Sequence, residues 1–205
     1  MAAIDLALLT RIGLPLYLVA FFGVVMVWRS YLIWRRTGLN PYVLTRGDDT
    51  HGYVGGLFRS TLIAVVVIVA LFAITPQGYA YLAPITWLDT RPVTVTGLAV
   101  LTAALVWVSA AQQQMGDSFR IGVDAAHATE LVKRGLFGVS RNPIFLGMLG
   151  MLLGLFLVLP NAASLAVCVL GYALIQIQVR LEEEHLTRLH GDAYRAYQNA
   201  VRRWL

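Results

Sequence analysis

Leu131-Val132-Lys133-Arg134-Gly135-Leu136-Phe137, then Ser140-Arg141-Asn142-Pro143-Ile144-Phe145-Leu146-Gly147, is the stretch on which the fold turns. It is a polar loop that passes through a glycine and a proline into a very apolar run. A second cluster answers it: Gln178 to Leu186, with Arg180-Leu181-Glu182-Glu183-Glu184 at its centre, closes the next apolar run. Only a short turn at Pro160-Asn161 separates the two runs, so they are expected to pair as an antiparallel helical hairpin. Both charged ends then lie at one membrane surface. A helix start presents free amide N–H groups and a partial positive charge. Here it would face a row of carboxylates, a pocket suited to a small molecule that carries both charges.

The rest of the chain fits a membrane. Of 205 residues, 58% are hydrophobic and 13% charged, with a mean hydropathy of +0.68; ordinary soluble domains are about 25% charged. About 20 apolar residues cross a hydrocarbon core roughly 30 Å thick, and in lipid the backbone must satisfy its own hydrogen bonds, which makes such runs helices. The expectation is one all-α integral membrane domain over residues 1–205. The net charge of +5 is accounted for by arginines that anchor the cytoplasmic face and meet anionic lipid, so no nucleic-acid partner is expected. The single cysteine, Cys168, lies in an apolar run and reads as a small core residue. The first apolar run is too long for a cleaved signal peptide and ends in Trp28-Arg29, so it is read as a retained span.

About five transmembrane helices are expected, over residues 14–34, 60–75, 93–111, 143–159 and 162–179. Residues 1–111 hold three spans and a loop, 35–59. Residues 112–205 hold a long polar loop, the two-span hairpin and an interfacial tail helix lying along the surface. With five spans, fourteen of the sixteen Lys and Arg residues fall on one side and only Arg11 and Arg91 on the other. The positive-inside rule then sets the N-terminus outside and the C-terminus in the cytoplasm, with the plasma (inner) membrane as the expected location.

Several residues could carry chemistry. Asn142 precedes Pro143 in the position of a helix cap. Gly150 and Gly154 read first as helix-packing residues. Gln178 and Glu182, four apart, share a helix face, while Arg180 points elsewhere. A carboxylate there could hold ribose hydroxyls, offset a cationic ligand or act as a base. The four histidines have no metal-ligand spacing, so no metal is expected. No phosphate-binding glycine loop or dinucleotide fingerprint is present in the sequence.

The order Leu131-Val132-x-x-Gly135-x-Phe137, Arg141-Asn142-Pro143-x-Phe145-x-Gly147, Glu182-Glu183-x-x-Leu186 and Gly191-x-x-Tyr194-x-x-Tyr197 resembles the isoprenylcysteine carboxyl methyltransferase and phospholipid methyltransferase superfamily, over about residues 115–205. That resemblance implies an integral membrane enzyme that uses S-adenosylmethionine. Carried over position by position, it implies a cofactor pocket made from Gly122, Thr129, Glu130, Leu131, Val132, Gly135, Phe137, Asn142, Pro143, Ile144, Phe145 and Glu182. The family often has His at Asn142 and Tyr at Phe137 and Phe145; Asn142 is expected to donate a hydrogen bond to the cofactor. In the prenylcysteine enzymes an arginine four residues before the glutamate resembles a clamp for the substrate carboxylate. Gln178 stands there in this chain, with Arg180 two residues on. Glu183 or Glu182 could assist proton removal, so Gln178, Arg180 and Glu183 are the candidate catalytic residues.

The resemblance implies methyl transfer to a small lipophilic acceptor that arrives from the bilayer: a carboxylate, thiol or amine. The expected partners are that acceptor and membrane lipids, without a protein partner. The alternatives are a phospholipid amine N-methyltransferase, a sterol-reductase-like membrane enzyme, and a non-catalytic protein that keeps the fold.

Overall fold

The computed structural model describes residues 6–38, 50–118 and 131–205. Eight α-helices follow in order among them: α1 (Leu6–Phe22), α2 (Arg29–Thr37), α3 (Thr50–Ile74), α4 (Pro76–Ala80), α5 (Arg91–Met115), α6 (Pro143–Val158), α7 (Ala162–His190) and α8 (Asp192–Ala200). A wider π-helical stretch, Gly23–Trp28, joins α1 to α2 without a break.

Among the described residues, four helices are long and apolar enough to cross a membrane: Leu6–Thr37, Gly52–Ile74, Arg91–Met115 and Ala162–His190. About five spans were expected. The difference is α6, which has only 16 residues. At about 1.5 Å per residue it is roughly 24 Å long, short of a hydrocarbon core about 30 Å thick. The second span, too short at 60–75 to cross by itself and expected to draw on 54–57, extends back through them to Thr50. Arg59, expected in a loop over 35–59, lies inside α3.

The helix α6 is held mainly by α5, through small residues on both. A Cβ at Gly147 would strike Val108 and Trp107, and one at Gly154 would meet Leu101 Cγ at 2.9 Å. From the other side, a Cβ at Gly97 would meet the Val158 backbone nitrogen at 2.8 Å. This close approach is the usual means of joining helices in lipid, where apolar burial gives no drive and van der Waals fit must supply it. Gly150, by contrast, has only ordinary contact with Ala104. The indole of Trp107 donates to the Pro143 carbonyl (2.9 Å), which fastens the first turn of α6 to α5.

Polar ties fix the other helices. Gln112, buried on α5, donates to the Val25 carbonyl inside the π-helical stretch (3.0 Å). Arg29 donates to the Gly116 carbonyl just past α5 (2.5 Å). At the turn between α6 and α7, Asn161 is fully buried. Its Oδ1 accepts from Ser164 N (2.8 Å), and Ser164 Oγ accepts from Asn161 N (3.2 Å), a reciprocal capping box. Its Nδ2 donates to Leu159 O (2.9 Å) and Tyr79 Oη (3.4 Å). Ile85 N donates to Pro160 O (2.7 Å), so the turn is sewn to the segment after α4.

The other end is built differently. The helix α7 does not stop at residue 179 but runs through the glutamates to His190. Glu182, Glu183 and Glu184 therefore sit within a helix and meet no unfavourable C-terminal dipole. The tail holds the expected helix, α8, and its inner face is packed on the protein. Tyr194 and Tyr197 of α8 are buried, the Tyr197 hydroxyl donates to Phe137 O (2.6 Å), and Lys133 Nζ donates to Ala193 O (3.3 Å). Segment 192–204 is packed onto the loop that precedes α6.

Candidate active site at the Asn142 end of the hairpin

Glu183 is the hub of this end, and it is only 5% exposed. A buried carboxylate is costly unless paired and hydrogen-bonded, and it is both. Arg141 Nη2 lies 3.0 Å from Oε1, and Arg203 Nη2 lies 2.8 Å from Oε2. The Nε of each arginine adds a bond at 3.2 Å. Arg141 spends its remaining nitrogen on the Gln198 and Val201 carbonyls (3.1 and 2.6 Å). The hydrogen bond and charge of Glu183 hold the Arg203 guanidinium above its ordinary pKa. Burial pushes the neighbouring Tyr197 phenol up to about 12, so it stays a neutral donor to Phe137.

Asn142 stands at the start of α6, 7% exposed. It is placed as a cap, yet its side chain makes no capping bond. Nδ2 donates instead to Glu183 Oε1 and to the Arg203 carbonyl, both at 3.3 Å. Its Oδ1 accepts nothing among the described residues. The expected donor is therefore already used, and what Asn142 offers a ligand is an acceptor.

Glu182 and Gln178 show where the site is open. At about 100° per residue, both fall inside the arc of α7 that Gly171, Leu174, Ile175, Val179 and Glu183 bury. Both are nevertheless partly exposed, and neither makes a hydrogen bond or ion pair among the described residues. Helix phase turns them toward the buried side of α7, yet the described residues leave them partly exposed. The adjacent carboxylates thus have opposite situations: Glu183 is fully engaged, Glu182 is not.

The remaining expected residues divide. Phe137 is buried and held through its carbonyl by Tyr197. Gly135 has a φ of +62°, which favours glycine, and the next amide, Leu136 N, donates to Gln114 Oε1 (2.7 Å). Leu131 and Val132 are half-buried. Pro143 is buried under Trp107, while Ile144 and Phe145 pack against the core cluster. Arg180 is not brought to this group. It is exposed and donates to Gln176 on its own helix (2.6 Å to the carbonyl). Glu183, expected as a base, is instead committed to two arginines. Gly122, Thr129 and Glu130 lie outside the described residues. Sequence reasoning gave no role to Arg203, Ser140 or the pairing of Arg141, because their partners are 20 to 63 residues away.

Four apolar helices of spanning length make this an integral membrane protein. Residues 93–193 match the family model for phospholipid methyltransferases. That family is part of the superfamily that also holds the isoprenylcysteine carboxyl methyltransferases. The match implies an integral-membrane methyltransferase. No curated protein matches the chain.

Proposed function

We propose that the protein transfers a methyl group from S-adenosylmethionine to a lipophilic acceptor, at the cytoplasmic face of the plasma (inner) membrane. The observation that carries this is a pair of acceptors left unspent among the described residues at the Asn142 end of the hairpin: the Glu182 carboxylate and Asn142 Oδ1. Both suit a ligand that is cationic and rich in N–H and O–H donors, as this cofactor is. When bound, S-adenosylmethionine supplies a methyl group on a positively charged sulfur. Glu182 would hold its hydroxyl or ammonium donors and offset its charge; Asn142 would accept a further hydrogen bond. Phe137, Ile144 and Phe145 bring apolar surface beside these groups, which keeps water from competing and helps align the reactants.

The same geometry favours an amine acceptor over a carboxylate. Gln178, a neutral side chain, stands where a carboxylate clamp would be needed. Arg141 and Arg203, which meet the next turn of α7, are spent on Glu183. A phospholipid head-group amine, which would arrive sideways from the bilayer, fits that balance. The cytoplasmic placement rests on the distribution of arginines along the chain.

Calorimetric titration of S-adenosylhomocysteine into detergent-purified protein, wild type beside Glu182→Ala, tests the cofactor. Binding that the substitution weakens is expected; a well-folded wild type that binds nothing would overturn the proposal. Incubating membranes with a methyl-labelled donor then tests the acceptor. Label in phospholipid head groups is expected, and label in a carboxyl ester would exclude the amine.

A further inference from the structure

The amide of Asn142 has only one workable orientation. Nδ2 faces a carboxylate oxygen and a carbonyl, both at 3.3 Å. Turning the amide over would set Oδ1 against two acceptors and leave the donors unused. Oδ1 is therefore fixed, without a partner among the described residues, on a residue only 7% exposed.

The groups that hold it come from the far end of the chain in sequence. Arg203 contributes twice, through its guanidinium to Glu183 and through its carbonyl to Asn142. The same carbonyl accepts from Ser140 Oγ (3.2 Å), which in turn accepts from Asn142 N (3.2 Å). Arg141 N donates to the Arg202 carbonyl (2.9 Å), and Trp204 packs against the core cluster. Segment 198–204 is thus buckled across the start of α6. The stretch matched by the family ends at residue 193, before this segment begins.

We propose that Glu183 and Arg203 are positioning residues of the cofactor site. They lock Asn142 so that Oδ1 meets an N–H or O–H donor of the cofactor as a fixed acceptor. This rests on the cofactor reading above. An acceptor held in place before binding loses no rotamer freedom when the ligand arrives, and that saving appears as affinity. It also gives the buried Glu183 cluster a role that a base could not fill. A carboxylate with two guanidinium partners is a poor proton acceptor.

Arg203→Gln and Arg203→Lys in the full chain, titrated with S-adenosylhomocysteine and melted in the same detergent, test the lock. Arg203→Gln is expected to weaken binding about tenfold, roughly one good hydrogen bond. Arg203→Lys, which keeps the charge, should recover part of that loss. Asn161→Ala, at the opposite end of the hairpin, lowers stability without touching the lock and supplies the baseline. If Arg203→Gln binds as the wild type does, the lock is wrong. If its affinity and melting temperature fall only in the proportion seen for Asn161→Ala, Arg203 is merely structural and the proposal fails. Should Arg203→Gln not fold, Arg203→Lys against the same baseline decides the matter. A folded wild type that binds nothing sinks the cofactor reading and this proposal together; a wild type that binds while the variants are unaffected sinks this one alone.

Discussion

The hairpin of α6 and α7 has an asparagine at each end, just before a helix, and the two are used in opposite ways. At the Pro160 turn, Asn161 is fully buried with both side-chain atoms spent: Oδ1 on Ser164 N, Nδ2 on Leu159 O and Tyr79 Oη. Nothing is left to offer. At the other end, Asn142 is nearly as buried but has one atom unspent among the described residues, and Glu182 and Gln178, on the inward arc of α7, have no partner among them either. Buried polar groups are almost always satisfied in folded proteins. An end where partly exposed acceptors have no partner among the described residues, beside a cluster that is completely satisfied, is where a ligand is expected. One end of the hairpin holds the fold together; the other holds a rigid Glu183 cluster next to groups kept free.

That contrast can be broken by substitution. The largest effect should come from Glu183→Ala, which strands Arg141 in a site where its side chain is 10% exposed. Removing one member of a buried pair costs about 3–5 kcal/mol, and thermal unfolding in detergent should show a loss of that order. A loss near zero would mean that the cluster is not the inner anchor. Glu182→Ala, one residue away, should leave the melting curve nearly unchanged. It should instead cost cofactor affinity by about 1.5–3 kcal/mol, the usual value of a hydrogen bond to a charged group. If Glu182→Ala destabilises as much as Glu183→Ala does, the division between the two carboxylates is false. Asn161→Ala should cost about 1 kcal/mol or somewhat more of stability, as for a lost helix cap, with affinity per folded molecule unchanged. Arg180→Ala should be the smallest, within about 0.5 kcal/mol, and without effect on methyl transfer; a lost activity would return Arg180 to the site.

The stretches that were legible in the sequence are those governed by local rules. Pro143 opens α6 where its missing N–H costs nothing, and Pro160-Asn161 separates α6 from α7 as the turn residues require. The motif residues Asn142 and Glu182 could be named because their spacing and order survive in one dimension. What sequence could not give was the state of each group. Nothing in Glu182-Glu183 says which carboxylate is free. Nothing in Arg202-Arg203 says that it reaches back to Asn142.

The amino-acid sequence by itself determined that this chain is an all-helical membrane protein, because long apolar runs with few charges have one stable answer in lipid. It also carried the resemblance to the membrane methyltransferases, through motifs read in order, and residues 93–193 match that family model. Only the tertiary structure decided that α6 falls short of a full span yet is clasped by α5, that the tail is buckled over the loop, and that Glu183 is spent while Glu182 is not. Those depend on contacts between residues far apart in sequence, and on which way a side chain leaves its helix. A hydrogen bond is satisfied or left open only in three dimensions, and at this end of the hairpin that difference separates the groups that hold the fold from the groups left for a ligand.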